Sequence, residues 1–131
     1  MFWIKENLGT ASISEVEELK KLRNVDVEIV YDLIDGKQEN KGQFVSKVKR
    51  VKEKLKKGNR IVIVCRGGLS RSNAVAFAVL MDYFKMSFDD AFNLIHKKVP
   101  VARIAMELID FIKEKYGYDT PYSKDETNKR R

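Results

Sequence analysis

The feature that most constrains the fold is an apolar strand followed by a glycine-rich turn and an apolar helix. Residues 60–65 read RIVIVC, residues 66–72 read RGGLSRS, and residues 73–81 read NAVAFAVLM. A continuous run of β-branched residues is typical of a central strand buried on both faces, and the last segment consists of helix formers that are apolar on most sides. Because ligands bind beyond the carboxyl ends of the strands in such sheets, we expect a binding site at this turn.

The residues before this unit predict two strands and a helix. FWIK at 2–5 and VDVEIVY at 25–31 have strand character, and the second alternates valine and isoleucine with acidic residues. We interpret residues 8–10 as a turn. The sequence from Ser14 to Glu17 matches a capping box, which predicts a helix that extends through Leu22.

The remaining segments predict helices on both sides of the unit. Apolar residues recur at helical spacing on a basic segment that ends at Gly58, namely Phe44, Val48, Val51 and Leu55. Ser87 is expected to cap a helix that reaches Lys98 and is broken by Pro100. A last helix is predicted over residues 102–117, and its inward positions are expected to be Ile104, Leu108, Ile109 and Ile112.

This order of elements predicts a single compact α/β domain with a mainly parallel central sheet flanked by helices. We expect residues 1–117 to form the domain and residues 118–131, which are polar and aperiodic, to form a mobile tail. The longest apolar run covers residues 74–81, far short of the roughly 20 residues that cross a bilayer. A single cysteine excludes an internal disulfide, and together with the absence of a secretory signal it favours a reducing cytoplasm.

A basic segment could attract anionic partners. The chain has a net charge of +7, and residues 41–60 contain nine Lys or Arg residues against one acid, Glu53. The helix expected over residues 43–57 could therefore contact phosphate-bearing substrates, or it could simply present a solvated face.

The turn after Cys65 has the chemistry of an oxyanion-binding loop. Two glycines let the backbone curl and leave room beside a ligand, so successive N–H groups can point inward. The following helix adds its own unpaired N–H groups and its positive dipole end, and Arg71 offers a planar fork of donors that fits two phosphate oxygens. These features predict phosphate binding by Arg66, Gly67, Gly68, Leu69, Ser70 and Arg71.

Cys65 is the candidate nucleophile. The N–H groups, the helix N-terminus and the arginine should favour the thiolate at a pH well below the unperturbed thiol pKa of about 8.5, and a thiolate that faces a bound phosphoryl group can attack phosphorus. Ser72 could donate a hydrogen bond to the sulfur and assist its departure. Ser70 is expected to brace the loop.

These residues resemble the signature C-x5-R-S/T of cysteine-dependent protein phosphatases. The fuller pattern C-x-x-G-x-S-R-S, formed here by residues 65–72, is most similar to the dual-specificity branch. The resemblance covers roughly residues 2–117 and is most specific at the loop. It implies hydrolysis of phosphotyrosine, and of phosphoserine and phosphothreonine, in protein substrates through a cysteinyl-phosphate intermediate without a metal or other cofactor.

The resemblance also implies a general acid, which in the family is an aspartate about 30 residues before the cysteine. Asp35 lies 30 residues before Cys65 and Asp32 lies 33 before it, so both are candidates and Asp35 is preferred. The family usually has histidine immediately before the cysteine, where this chain has Val64. That histidine helps to position the loop and to tune the thiol.

Two alternatives remain at this point. Rhodanese-like sulfurtransferases carry an active cysteine in a loop that also often begins Cys-Arg, but four residues usually separate their cysteine from the arginine, whereas five separate Cys65 from Arg71. A non-catalytic phosphate-binding module would keep the loop without turnover, although it would not need a cysteine, an arginine and a serine together.

Overall fold

The computed structural model describes residues 1–30, 41–67 and 70–117. Its strands are β1 (Phe2–Lys5), β2 (Leu8–Ser12), β3 (Val25–Ile29) and β4 (Arg60–Cys65). Its helices are α1 (Val16–Leu19), which continues a 3-10 turn at Ile13–Glu15, α2 (Lys41–Lys56), α3 (Arg71–Asp82), α4 (Phe88–Lys98) and α5 (Met106–Tyr116).

The four strands form one sheet in the order β1-β2-β4-β3. Strands β2 and β3 both pair with β4 in parallel, and β1 is an antiparallel edge strand on β2. The α/β fold with a mainly parallel sheet is therefore confirmed. In the β2–β4 register Ser12 is the partner of Cys65, so both strands end at the same edge of the sheet.

Strand β4 lies in the centre of the molecule because both of its faces are covered. Ile61 and Ile63 pack into the larger core cluster with α2, α3, α4 and α5, whereas Val62 and Val64 pack against α1 on the opposite face. All residues of α3 from Ser72 to Met81 are buried. Because both faces of β4 and nearly every side of α3 are buried, neither segment alternates apolar with polar residues.

Several predicted helix features are confirmed. The apolar stripe of α2 is buried, and Gly58 beyond its end has a φ of 88°, a conformation that favours glycine. The Ser87 hydroxyl accepts a hydrogen bond from the Asp90 N–H at 3.1 Å and so caps α4, which ends at Lys98 before Pro100.

The prediction of a turn at residues 8–10 was wrong. These residues lie in β2 and are buried between β1 and β4. Gly9 is needed there because a Cβ atom would lie 2.8 Å from the Phe2 carbonyl oxygen and 3.0 Å from the Trp3 ring. A glycine that permits close packing of strands was mistaken for a glycine that permits a turn.

The first α-helix is also shorter than predicted, and a 3-10 turn at Ile13–Glu15 precedes it. The capping box pairs Ser12 with Glu15, whose carboxylate accepts a hydrogen bond from the Ser12 N–H at 3.0 Å, rather than Ser14 with Glu17. The helix ends at Leu19, and Leu22 is 48% exposed. Leu19, by contrast, is buried in one apolar cluster with Val62 and Val64 of β4.

Two further details differ from the sequence pattern. Glu28, one of the two acids that alternate with apolar residues in β3, is buried, and its carboxylate pairs with α2. The last helix begins at Met106 rather than at residue 102, and of the four predicted inward positions only Ile112 is fully buried. Tyr31 and the segment 118–131 lie outside the described residues.

Candidate active site

Cys65 is the last residue of the central strand, and its side chain is buried. A strand covered on both faces leaves the residue at its carboxyl end enclosed by neighbouring elements. The sheet therefore holds the thiol in a fixed place at the edge where ligands bind in parallel sheets.

Ser72 lies directly against this thiol. The two residues are seven positions apart in sequence, and the Cys65 Sγ and Ser72 Oγ atoms are joined by a buried hydrogen bond of 3.3 Å. As a thiol, Cys65 donates to the hydroxyl, whereas a thiolate would instead accept from it. The structure thus brings the two side chains together, and the donation from Ser72 to the sulfur stays a prediction.

The first turn of α3 forms one wall of the site. Ser70 is the N-cap residue, and its carbonyl oxygen accepts the Ala74 N–H at 2.8 Å. Its hydroxyl accepts the N–H of Ala105, in the α4–α5 connection, at 3.4 Å. This contact agrees with a bracing role for Ser70 and ties the start of α3 to a second loop.

The other predicted site residues are placed as follows. Arg71 begins α3 and is half-buried, while Arg66 and Gly67 are exposed immediately after β4. Gly68, Leu69, Asp35 and Asp32 lie outside the described residues. The roles of all these residues, including the phosphate contacts and the general acid, therefore stay predictions.

One pair of residues near the site was not singled out from the sequence. The Thr10 hydroxyl on β2 donates a buried hydrogen bond of 2.9 Å to the side-chain oxygen of Asn73, which follows Ser72 in α3. The sequence contains one indication of this pair, because Asn73 is the only amide side chain in the long apolar segment after Ser72. Because residues 8–10 were interpreted as a turn, Thr10 was not considered as its partner.

The cations of α2 lie mainly in ion pairs. The Glu28 carboxylate accepts hydrogen bonds from Arg50 Nε at 3.0 Å and Lys54 Nζ at 3.3 Å, and Lys47 Nζ is 3.5 Å away. Lys52 pairs with Asp82 at 2.6 Å. Four of the basic side chains that could have formed a phosphate-binding face therefore anchor α2 to the sheet and to α3.

The described parts of the chain offer no group of three or more His, Cys, Asp and Glu side chains that could hold a metal ion. In the same ranges no helix is long and apolar enough to cross a bilayer.

Residues 6–117 match the family model for the catalytic domain of dual specificity phosphatases. The chain belongs to this family. The matched range includes every described element from β2 to α5, so strands β2, β3 and β4 belong to the family's domain and β1 lies just before it.

An individual relative agrees with this family assignment. "Putative tyrosine phosphatase 123R" of Invertebrate iridescent virus 6 is 35% identical over 48 residues, which are 37% of this chain and 34% of that protein. The chain thus matches only about a third of the length of this curated relative.

Solved structures share the fold. The mouse "putative dual specificity phosphatase complexed with zinc tungstate" has a TM-score of 0.76 at 17% identity, covering 89% of this chain and 86% of that chain. Human DUSP28 also has a TM-score of 0.76 at 15% identity, covering 89% of this chain and 93% of that chain. The family and the fold together support an enzyme that hydrolyses phosphoesters.

Proposed function

We propose that this chain is a phosphoprotein phosphatase that hydrolyses phosphotyrosine, and also phosphoserine and phosphothreonine, through a cysteinyl-phosphate intermediate. The observation that carries this proposal is the buried contact between Cys65 Sγ and Ser72 Oγ at the carboxyl end of the central strand. It unites a nucleophile and a hydrogen-bond donor at the start of a helix whose N-terminus favours anions.

In the first step the Cys65 thiolate attacks the phosphorus atom of the bound monoester. The S–P bond forms as the bond from phosphorus to the ester oxygen breaks, and Arg71 with the N–H groups of residues 66–71 stabilises the negative oxygens. The leaving oxygen takes a proton from the general acid, for which Asp35 is preferred over Asp32.

In the second step a water molecule attacks the thiophosphate. The general acid, now a carboxylate, accepts the proton of the water, inorganic phosphate forms, and the S–P bond breaks to return the thiolate. Ser72 stabilises the departing sulfur by donating its hydroxyl proton in a hydrogen bond. The cycle needs Cys65 in its reduced form, which favours a reducing compartment such as the cytoplasm.

The substrate proposal favours phosphoproteins over other phosphate monoesters. Lys47, Arg50, Lys52 and Lys54 pair with carboxylates, so less of the basic charge on α2 is available for a phosphoinositide headgroup or an RNA 5′ phosphate. A panel of phosphopeptides, phosphoinositides and triphosphorylated RNA should show preferential release of phosphate from the peptides. Preferential release from lipid or RNA would overturn this choice.

The first test of the proposed function is the hydrolysis of p-nitrophenyl phosphate in the presence of EDTA. We expect turnover that Cys65→Ser abolishes, and inhibition by vanadate, since a tetrahedral oxyanion would occupy the loop; the mouse relative, for comparison, forms a complex with zinc tungstate. Undiminished turnover by Cys65→Ser would refute the covalent mechanism. Transfer of sulfur from thiosulfate without hydrolysis of the aryl phosphate would favour the sulfurtransferase, and vanadate binding without turnover would favour a binding module.

A further inference from the structure

Thr10 and Asn73 form a buried polar contact between two elements that are distant in sequence. The Thr10 Oγ1 atom donates to Asn73 Oδ1 at 2.9 Å, and the two residues are 63 positions apart. Within residues 1–30, 41–67 and 70–117 only four polar or charged residues are buried, and three of them are Thr10, Ser72 and Asn73. The polar content of the described core is therefore concentrated beside Cys65.

The contact joins the strand next to the nucleophile with the helix that carries the proposed proton donor. Thr10 of β2 pairs in register with Ile63 of β4. Ile63 lies two residues before Cys65 in β4. Asn73 directly follows Ser72, whose hydroxyl contacts the Cys65 sulfur. The bond between Thr10 and Asn73 thus fixes the first turn of α3 against the sheet that holds Cys65.

Stability alone does not require this pair. A buried polar group costs free energy unless its partner is present, and replacing both partners of such a bond with apolar groups of similar shape can be nearly neutral. What the pair adds over an apolar contact is direction, because a hydrogen bond restricts distance and angle whereas apolar packing is non-directional.

We propose that Thr10 and Asn73 are positioning residues that hold Ser72 in line with Cys65 during hydrolysis of the thiophosphate. This inference rests on the phosphatase function proposed above. The pair touches neither the substrate nor the reacting atoms in this mechanism, so its effect passes through the orientation of the first turn of α3.

The test begins with Thr10→Val, which keeps the shape of the side chain and removes the donor. We expect kcat for p-nitrophenyl phosphate to fall roughly fivefold or more, the factor that the loss of one hydrogen bond of about 1 kcal/mol would cause. KM should fall by a similar factor, so that kcat/KM changes little, because this ratio depends only on binding and the first step. The release of p-nitrophenol should also show a larger pre-steady-state burst, because the second step becomes slower than the first. Thr10→Ser should restore both kcat and the small burst.

The matched control is Ile95→Val, which removes one fully buried methyl group from α4 and should lower the thermal stability slightly. Its kcat should remain near that of the wild type at a temperature well below unfolding. A Thr10→Val enzyme with wild-type kcat and burst would overturn the proposal, as would equal losses of kcat in both variants, since either result reduces the pair to ordinary core packing.

If Thr10→Val does not fold, the double variant Thr10→Val/Asn73→Leu replaces both partners with apolar side chains and takes its place. Slow turnover with a large burst in this variant supports positioning, and wild-type kinetics overturn it.

If the wild type hydrolyses no aryl phosphate, the function proposal fails, but the positioning proposal is still tested by alkylation of Cys65 with iodoacetate. Roughly fivefold slower alkylation of the Thr10 variant at pH 6 supports positioning, because Ser72 would stabilise less thiolate, and an equal or faster rate overturns it.

Discussion

At the scale of single residues, position in the fold decides which chemistry a side chain can perform. A lone cysteine in an apolar strand would ordinarily pack as a small hydrophobic residue. Cys65 differs because it ends a strand that is covered on both faces and because the Ser72 hydroxyl lies 3.3 Å from its sulfur. The glycines likewise have separate roles, since Gly58 supplies a positive φ whereas Gly9 supplies space.

The assignment of the general acid can be decided by leaving-group dependence. If Asp35 is the proton donor, as proposed, we expect Asp35→Asn to lower kcat roughly 100-fold or more for alkyl phosphates and much less for aryl phosphates whose leaving groups are weak bases. Measured rates across a series of substituted phenyl phosphates check this expectation. Asp32→Asn is the matched control and should retain a nearly normal rate; the opposite result would transfer the role to Asp32.

The close approach of β1 to Gly9 predicts a loss of stability in Gly9→Ala. The new Cβ would lie 2.8 Å from the Phe2 carbonyl oxygen, so the strands must separate or twist, and we expect unfolding to become easier by about 1 to 3 kcal/mol. Urea denaturation measures this change.

Gly42→Ala serves as the control for this steric prediction. Among the described residues, no atom outside the backbone of its own helix lies within 4 Å of the point that the new methyl group would occupy, and alanine favours the helix. Equal effects of the two substitutions would contradict the steric explanation.

At the scale of elements, α2 is attached to the sheet by charge as well as by its apolar stripe. Glu28 in β3 is only 4% exposed and faces three cations of α2, namely Lys47, Arg50 and Lys54. Burial by itself would raise the pKa of the Glu28 carboxyl, but the hydrogen bonds from Arg50 and Lys54 outweigh it and hold the pKa below its ordinary value of 4.5. The basic character of α2 therefore has a structural use.

This lowered pKa makes part of the stability dependent on pH. Because the folded state binds the Glu28 proton more weakly than the unfolded state, the contribution is complete well above pH 4.5 and is lost as the pH falls through the lower folded pKa. Glu28→Gln should reduce the free energy of unfolding by about 1 to 3 kcal/mol at pH 7, and by less in acid.

Urea denaturation at a series of pH values checks the Glu28 prediction. The control is Glu53→Gln, an acid on the outer side of α2 that should change stability by less than about 0.5 kcal/mol at any of these pH values. A constant difference between Glu28→Gln and the wild type from about pH 7 to about pH 3 would refute the ionic explanation.

At the scale of the whole molecule, helix α5 lies at the C-terminal end of the family's domain. The family model ends at residue 117, and the last buried apolar residues of the described chain are Ile112 and Tyr116 of α5. Helix α5 packs on α3, whose first residues form a wall of the candidate site. The family match over residues 6–117 supports the proposal that residues 1–117 form the catalytic domain.

A chain shortened after Gly117 tests this proposal. If residues 118–131 are not part of the domain, the shortened protein should keep its Tm within a few degrees and its kcat for an aryl phosphate within about twofold. Thermal unfolding and steady-state kinetics are the measurements. A cooperative loss of stability would place part of the tail in the folded domain.

The sequence by itself determined the local pattern and the chemistry of the loop. Continuous apolar runs predicted the buried strand and helix, and the spacing from Cys65 to Arg71 identified the family, because both signals depend on neighbours within about ten residues. Only the tertiary structure decided that residues 8–10 form a strand, that Glu28 is buried, and that Thr10 meets Asn73. Each of these involves at least one partner more than about 20 residues away, and neither propensity nor periodicity carries information about a contact at that distance.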